Sequence, residues 1–146
     1  MFESQKILGI NGHKKILCVQ TQNHNPAQAL EHWSHLLEKH QIPQPQVLHL
    51  NMEGPYFEIY LTSSTEGLKS LTSLLPIENY TLKPADLCSI TLTLTGNSTA
   101  TKSIDVLKTL ETNTIPCHKV FYSALSLTLI LNQPDFEKAL QLLHGE

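Results

Sequence analysis

The sequence lacks the features that mark membrane, secreted, disulfide-bonded or zinc-binding proteins. No run of about 18 apolar residues occurs, so no membrane-spanning helix is expected. The first residues show no basic region followed by an apolar stretch, so no signal peptide is expected and the predicted location is cytoplasmic. Cys18, Cys88 and Cys117 lie far apart without a CxxC pair, which predicts neither a disulfide framework nor a zinc site.

Signatures of catalysis and of nucleic-acid binding are missing as well. Ten Lys and Arg residues stand against thirteen Asp and Glu, giving a net charge of −3 without a basic cluster. The six glycines are scattered, so there is no Gly-rich phosphate loop. His32 and His35 share a helix face but lack a third ligand, so a solvated face is the simpler interpretation. We therefore predict no enzyme activity, cofactor or metal, and neither a nucleic-acid nor a membrane partner.

What the 146 residues do contain is a repeated order of structural elements. Apolar alternation predicts strands at residues 7–10, 15–20, 47–50, 56–61, 80–83, 87–95, 119–122 and 125–131. Helical spacing predicts helices at residues 26–39, from Ser64 or Thr65 to Pro76, at 101–111 and after 132–135. Asn25 is suited to cap the first helix and Pro26 to begin it. The order strand, helix, strand, strand, helix, strand thus appears once and begins again at Leu87.

The second repeat lacks its final strand, while one strand is left over at the start of the chain. Residues 7–10 form this extra strand, and Asn11 and Gly12 after it predict a turn. The economical solution is that the N-terminal strand completes the C-terminal sheet, because pairing satisfies backbone groups that an orphan strand leaves open. The first repeat would then be inserted into the second.

This order predicts an α+β protein of two ferredoxin-like βαββαβ units, each an antiparallel sheet with helices on one face. Over nearly the whole chain it resembles the tandem ACT domains at the C-terminus of aspartokinases, where one ACT unit interrupts the other. The matching segments are residues 7–10 with 15–17, 89–92 with Gly96, 115–123, and the closing helix at 136–144. The first ACT unit is assigned to residues 13–84, and the second to 5–12 plus 85–146. Nothing in the sequence resembles the kinase domain.

The resemblance implies a regulatory function and a site for a small amino acid of the lysine or threonine type at an interface between ACT units. By position the site residues are Asn23, His24, Asn25, Pro26, Ala27, Gln46, Val47 and Leu48. The equivalent positions in the second unit are Gly96, Asn97, Ser98 and Ser123. The sequence departs from the family where Pro26 and Ala27 stand near its loop glycine and where Ala124 replaces its Glu.

Alternative functions remain open at this point. The departures from the family pattern favour a dimerisation or protein-interaction module that has lost its effector site. Tyr56 and Tyr60 are predicted on the outward face of a strand, where a protein interface or, less favourably, stacked RNA bases would cover them. The expected partners are therefore an amino-acid effector, a second copy in a homodimer, and a separate kinase subunit.

Overall fold

The computed structural model describes residues 6–23, 25–83, 85–95 and 99–144, and its α+β fold confirms the predicted class. Its strands are β1 (Lys6–Gln22), β2 (Gln46–Glu53), β3 (Tyr56–Thr62), β4 (Thr81–Leu82), β5 (Leu87–Thr95), β6 (Cys117–Tyr122) and β7 (Ser126–Asn132). Its helices are α1 (Pro26–Lys39), α2 (Thr65–Leu74), α3 (Thr99–Thr112) and α4 (Phe136–His144), the last preceded by a 3-10 turn at Gln133–Asp135. No helix within these residues is long and apolar enough to cross a membrane.

The chain divides into two compact units. The first, which we call the central unit, is Ile16–Ala85. The second, which we call the split unit, combines the described residues up to Lys15 with those from Asp86 onward. The chain therefore crosses from one unit to the other twice, once within β1 and once between β4 and β5.

The sheet of the central unit has the strand order β4–β1–β3–β2, with every pair antiparallel. Both α1 and α2 contribute to a core on one face of this sheet. Its buried members include Val19, Phe57, Ile59 and Leu61 from strands, Ala29, Trp33, Leu36 and Leu37 from α1, and Leu68 and Leu71 from α2. Alternate strand positions and helical i, i+3, i+4 positions supply these side chains, which explains why the two periodicities predicted the elements.

The sheet of the split unit has the strand order β1–β5–β7–β6. Strand β7 is antiparallel to both β5 and β6, and β5 is hydrogen-bonded to β1 on its other side. The core contains Cys88, Ile90, Leu92, Leu94, Leu127, Leu129 and Leu131 from the sheet and Val106, Leu110, Phe136, Ala139 and Leu143 from the helices. Ile7 and Ile10 of β1 pack against it. The first strand of the chain thus contributes to a sheet whose other strands all come from its second half.

The predicted turn at Asn11 and Gly12 is wrong, because β1 is one unbroken strand of 17 residues. Gly12 lies beside the ring of Phe136, and a Cβ atom on it would stand 2.8 Å from two ring carbons. The glycine therefore leaves room for an aromatic ring of α4. Asn-Gly is a strong local turn signal, but here the close approach of a distant side chain determines the residue.

Tyr60 lies on the predicted outward face of β3, opposite the core, but it is buried there. Tyr56 is 44% exposed, but Tyr60 is only 2% exposed and Glu58 between them is fully buried. Alternation correctly placed these three residues on the face opposite Phe57 and Ile59. It could not indicate that part of that face is shielded from solvent. The RNA-binding hypothesis thereby loses one of its stacking residues.

We expect Gly12→Ala to lower the free energy of unfolding by about 1–3 kcal/mol, because the new methyl group overpacks the Phe136 ring. Gly9→Ala is the matched control in the same strand, since an added Cβ there meets no atom within 4 Å. Urea denaturation of both variants checks this expectation. Equal stability of the two variants would mean that the ring does not occupy the space beside Gly12.

Candidate functional site

The loop after β1 is organised by the side chains of two asparagines. The Asn23 N–H donates to the Pro55 carbonyl oxygen at 3.2 Å, and Asn23 Oδ1 accepts the Asn25 N–H at 2.9 Å. Asn25 Oδ1 in turn accepts the N–H groups of Ala27 and Gln28, at 3.0 and 3.2 Å. This confirms Asn25 as the N-cap of α1, with Pro26 in its first turn. His24 lies outside the described residues.

The first turn of α1 is already saturated with internal hydrogen bonds. Pro26 has no N–H, the N–H groups of Ala27 and Gln28 bind Asn25 Oδ1, and the Ala29 N–H binds the Asn25 carbonyl at 3.0 Å. The helix dipole still favours an anion here, but a ligand carboxylate would have to displace the Asn25 side chain to reach these donors. Within the described residues, the donors of the loop without partners are the Nδ2 amides of Asn23 and Asn25.

The other predicted segment, Gln46 to Leu48, lies at the opposite end of the sheet. Gln46 pairs with Thr62 at the end of β3, whereas Gln22 at the end of β1 pairs with Tyr56 at its start. Since β3 has seven residues at about 3.3 Å each, the two segments are separated by about 20 Å. Val47 packs against the core and Leu48 forms a bulge. One copy of the chain therefore does not bring the two predicted segments together.

The segment that does adjoin the loop is the β2–β3 turn, which the sequence interpretation did not include. Gly54 has a φ of 59°, a left-handed conformation that suits glycine, and the Pro55 carbonyl accepts the Asn23 N–H at 3.2 Å. The turn itself was recognisable from Glu53, Gly54 and Pro55. Its proximity to Asn23 follows from the pairing of β1 with β3, which only the tertiary structure supplies.

The split unit repeats this arrangement at its own hairpin. Ser123 lies in the β6–β7 turn, where its hydroxyl is 2.7 Å from the Ser126 hydroxyl and accepts the Ser126 N–H at 3.2 Å. The Leu94 N–H donates to the Leu125 carbonyl at 2.8 Å, which places the turn beside the end of β5. Ser123 is therefore the counterpart of the turn at Pro55. Gly96, Asn97 and Ser98 lie outside the described residues.

A cavity of about 460 Å³ lies at the end of the central unit where β2 begins. It lies between the α1–β2 connection at residues 40–43 and helix α2 with the two serines before it. Ser63, Ser64, Ser70 and Glu66 give it a polar lining, and Leu74 an apolar one. Its volume falls within the range of small-molecule pockets. The sequence carried no signal for this cavity, since its lining comes from loops and a helix far apart in the chain.

A buried polar cluster lies on the face of the same sheet opposite the core. Glu58 is fully buried and accepts hydrogen bonds from Gln20 Nε2 at 2.6 Å and from the Tyr60 hydroxyl at 2.8 Å. Lys83 Nζ lies 3.8 Å from Glu58 Oε2. We call these four residues the Glu58 cluster. Each of these three groups is a donor, which is the arrangement that suits an ionised carboxylate.

The electrostatics of this face follow from burial. Desolvation raises the pKa of Tyr60 far above its usual value, and its hydrogen bond to Glu58 raises it further, so the phenol stays protonated and continues to donate. Burial lowers the pKa of His49, which is paired across the strands with Tyr60, while the Glu58 charge opposes that change. The face thus holds one buried negative charge whose near cation is Lys83.

The remaining titratable side chains of the described residues show no arrangement for metal binding. Among the described residues, no group of three or more His, Cys, Asp or Glu side chains could hold a metal ion. Burial raises the pKa of the Cys88 thiol to about 11 and also raises that of Cys117, so neither is an activated nucleophile. His32 Nδ1 lies 3.0 Å from the Tyr80 hydroxyl, and the His32 ring stacks on the Tyr80 ring. These contacts give His32 a structural role in the His32–His35 pair.

This fold is that of the regulatory regions of aspartate kinases. The regulatory subunit of aspartate kinase from Thermus thermophilus is similar over 96% of this chain and 98% of its own, with a TM-score of 0.64 and 14% identity. A C-terminal regulatory domain of aspartate kinase from Porphyromonas gingivalis matches over 94% of both chains, with a TM-score of 0.62 and 14% identity. E. coli aspartokinase III in complex with lysine and aspartate matches over 95% of this chain and 32% of its own, with a TM-score of 0.62 and 15% identity. The sequence matches no protein-family model and no curated protein.

Proposed function

We propose that the chain is a non-catalytic regulatory protein of the aspartokinase type that binds a small amino acid between two copies of itself. Its two units are proposed to be ACT units, residues 13–84 inserted into a second unit formed by 5–12 and 85–146. The observation that carries this proposal is the likeness over nearly the full length of both chains to a regulatory subunit without a kinase domain. The aspartokinase III complex with lysine supports lysine as the first effector to test.

The loop at Asn23 offers suitable chemistry for an amino acid. The Nδ2 amides of Asn23 and Asn25 can donate to an α-carboxylate, and the positive end of α1 stabilises its charge. The Pro55 carbonyl, which accepts one hydrogen bond from Asn23, keeps a second lone pair for an ammonium group. Because Asn25 also caps α1, binding through its Nδ2 amide leaves the helix intact.

A second copy would bring the start of its β2 to the end of the sheet that carries the Asn23 loop, about 14 Å from that loop across β2 and β3. Strand β2 is the outer strand of its sheet among the described strands, and Leu50 and Met52 on it are partly exposed. Pairing of β2 with itself about a two-fold axis is antiparallel, so the start of one strand lies beside the end of the other. Gln46 of the second copy would then lie beside Glu53, next to the turn that contacts Asn23.

Calorimetric titration with lysine, threonine, methionine and the other amino acids tests the proposal. We expect saturable heat with at least one of them, and at least about tenfold weaker binding in Asn25→Asp, because a carboxylate there repels that of the ligand. Asn25→Asp keeps the capping oxygen, so α1 remains folded. Asn11→Asp, the same change at an exposed position in β1, should bind like the unchanged protein.

The absence of heat and of any thermal shift with every amino acid would reject this proposal in favour of the second candidate. That candidate is a dimerisation module, or a partner of a separate kinase subunit, without an effector. The saturated first turn of α1 is the observation that favours it, since no backbone donor there is free for a carboxylate. A dimer in sedimentation equilibrium that no amino acid affects is its expected result.

A further inference from the structure

The Glu58 cluster has no part in the proposed effector site, but it lies at one of the two places where the chain leaves the central unit. β4 has only two residues, Thr81 and Leu82, and pairs with β1 at Val19 and Gln20. Lys83 follows directly and precedes the crossing into the split unit. Because so short a strand contributes few ladder hydrogen bonds, side-chain contacts must supply much of what holds it in place.

The second crossing is fixed on each side by one backbone hydrogen bond. The Lys83 N–H donates to the Cys18 carbonyl at 2.9 Å in the central unit. The Gln133 N–H donates to the Asp86 carbonyl at 3.0 Å in the split unit. Only two residues, 84 and 85, separate these attachment points.

Within the Glu58 cluster, Glu58 is the fixed member and Lys83 the movable one. The Glu58 carboxylate is fully buried and both of its oxygens accept hydrogen bonds, from Gln20 on β1 and from Tyr60 on its own strand. The Lys83 side chain is 42% exposed and makes a single contact with Oε2 at 3.8 Å. A buried carboxylate attracts a cation more strongly than a surface one does, because water screens it less.

We propose that Glu58 and Lys83 form an electrostatic lock that keeps the second crossing attached to the central unit. When the ion pair is formed, the Lys83 backbone N–H stays hydrogen-bonded to the Cys18 carbonyl and β4 stays paired with β1. When the ion pair opens, the Lys83 side chain moves into solvent and the end of β4 separates from β1. This inference goes beyond the proposed function, because the lock operates whether or not the protein binds an amino acid.

Amide hydrogen exchange at residue 83 in the full chain tests the lock. We expect the protection factor of this amide to fall by about tenfold in Lys83→Met and in Glu58→Gln. The double variant should show the same tenfold fall as each single variant, because both changes remove the same ion pair. Glu78→Gln is the matched control, since Glu78 pairs with Lys39 and His40 at the surface, away from Lys83. It should leave the protection of residue 83 unchanged.

Unchanged protection in Lys83→Met, or additive losses in the double variant, would overturn the proposal. Lys83→Met alone decides the matter if Glu58→Gln fails to fold, because Lys83 is half-exposed and the Glu58 carboxylate keeps its hydrogen bonds from Gln20 and Tyr60 in that variant. The measurement is made without any amino acid, so its outcome is independent of whether the effector site exists.

Discussion

Leu71→Ala is expected to lower the free energy of unfolding by about 2–5 kcal/mol, because it leaves a cavity in a closely packed core. Leu71 lies on α2, is fully buried, and belongs to the core of the central unit. Urea denaturation measures the loss. Leu30→Ala on α1 is the control, since Leu30 is largely exposed and should cost far less.

Leu129→Ala is the corresponding change in the split unit, where Leu129 is likewise fully buried, and we expect a loss of similar size. Hydrogen exchange should place the largest loss of protection for Leu71→Ala within Ile16–Ala85 and for Leu129→Ala in the residues from Asp86 onward. Losses spread evenly over the whole chain in both variants would contradict the division into units with separate cores.

Glu58→Ala is expected to lower the free energy of unfolding by about 2–4 kcal/mol, although it removes an acidic residue from a sheet face. The reason is that the buried Tyr60 hydroxyl and the partly buried Gln20 amide both lose the carboxylate that accepts their hydrogen bonds, and each such loss costs about 1–3 kcal/mol. Thermal or urea denaturation checks the value. Glu78→Ala at the surface should cost no more than about 1 kcal/mol.

A double-mutant cycle separates this cause from a simple loss of packing. Tyr60→Phe removes only the hydroxyl that donates to Glu58 at 2.8 Å. In the Glu58→Ala background, Tyr60→Phe should therefore cost less than in the unchanged protein, because the hydroxyl no longer has the Glu58 carboxylate as an acceptor. The same destabilisation by Tyr60→Phe in both backgrounds would mean that the hydrogen bond contributes nothing.

The order of elements was predictable because most of the segments have clear periodicities. Leu127, Leu129 and Leu131 alternate along β7 and all enter the core, and Trp33, Leu36 and Leu37 recur at helical spacing on α1. Local signals also predicted the start of α1, since a cap depends on residues within one turn. The continuity of β1 was not predictable, because Gly12 is determined by Phe136 at the other end of the chain.

The relative positions of the candidate site residues were less predictable than the fold, for a related reason. The resemblance supplied Asn23, Asn25 and Gln46 as site residues, but only strand register reveals that the first two lie about 20 Å from the third. Alternation placed Glu58 and Tyr60 on one face but carried no information on whether that face is buried. Sequence patterns describe single elements, whereas a site depends on which elements become neighbours.

Mixing two binding-deficient variants tests most directly whether two copies share the effector site. Asn25→Asp disables the loop, and Gln46→Arg places a long charged side chain at the start of β2. Neither variant alone should bind the effector. In an equimolar mixture, half of the dimers combine both variants and keep one intact site, so binding should recover to about one quarter of the unchanged protein's capacity. No recovery in a mixture that does exchange subunits would contradict a site shared between two copies.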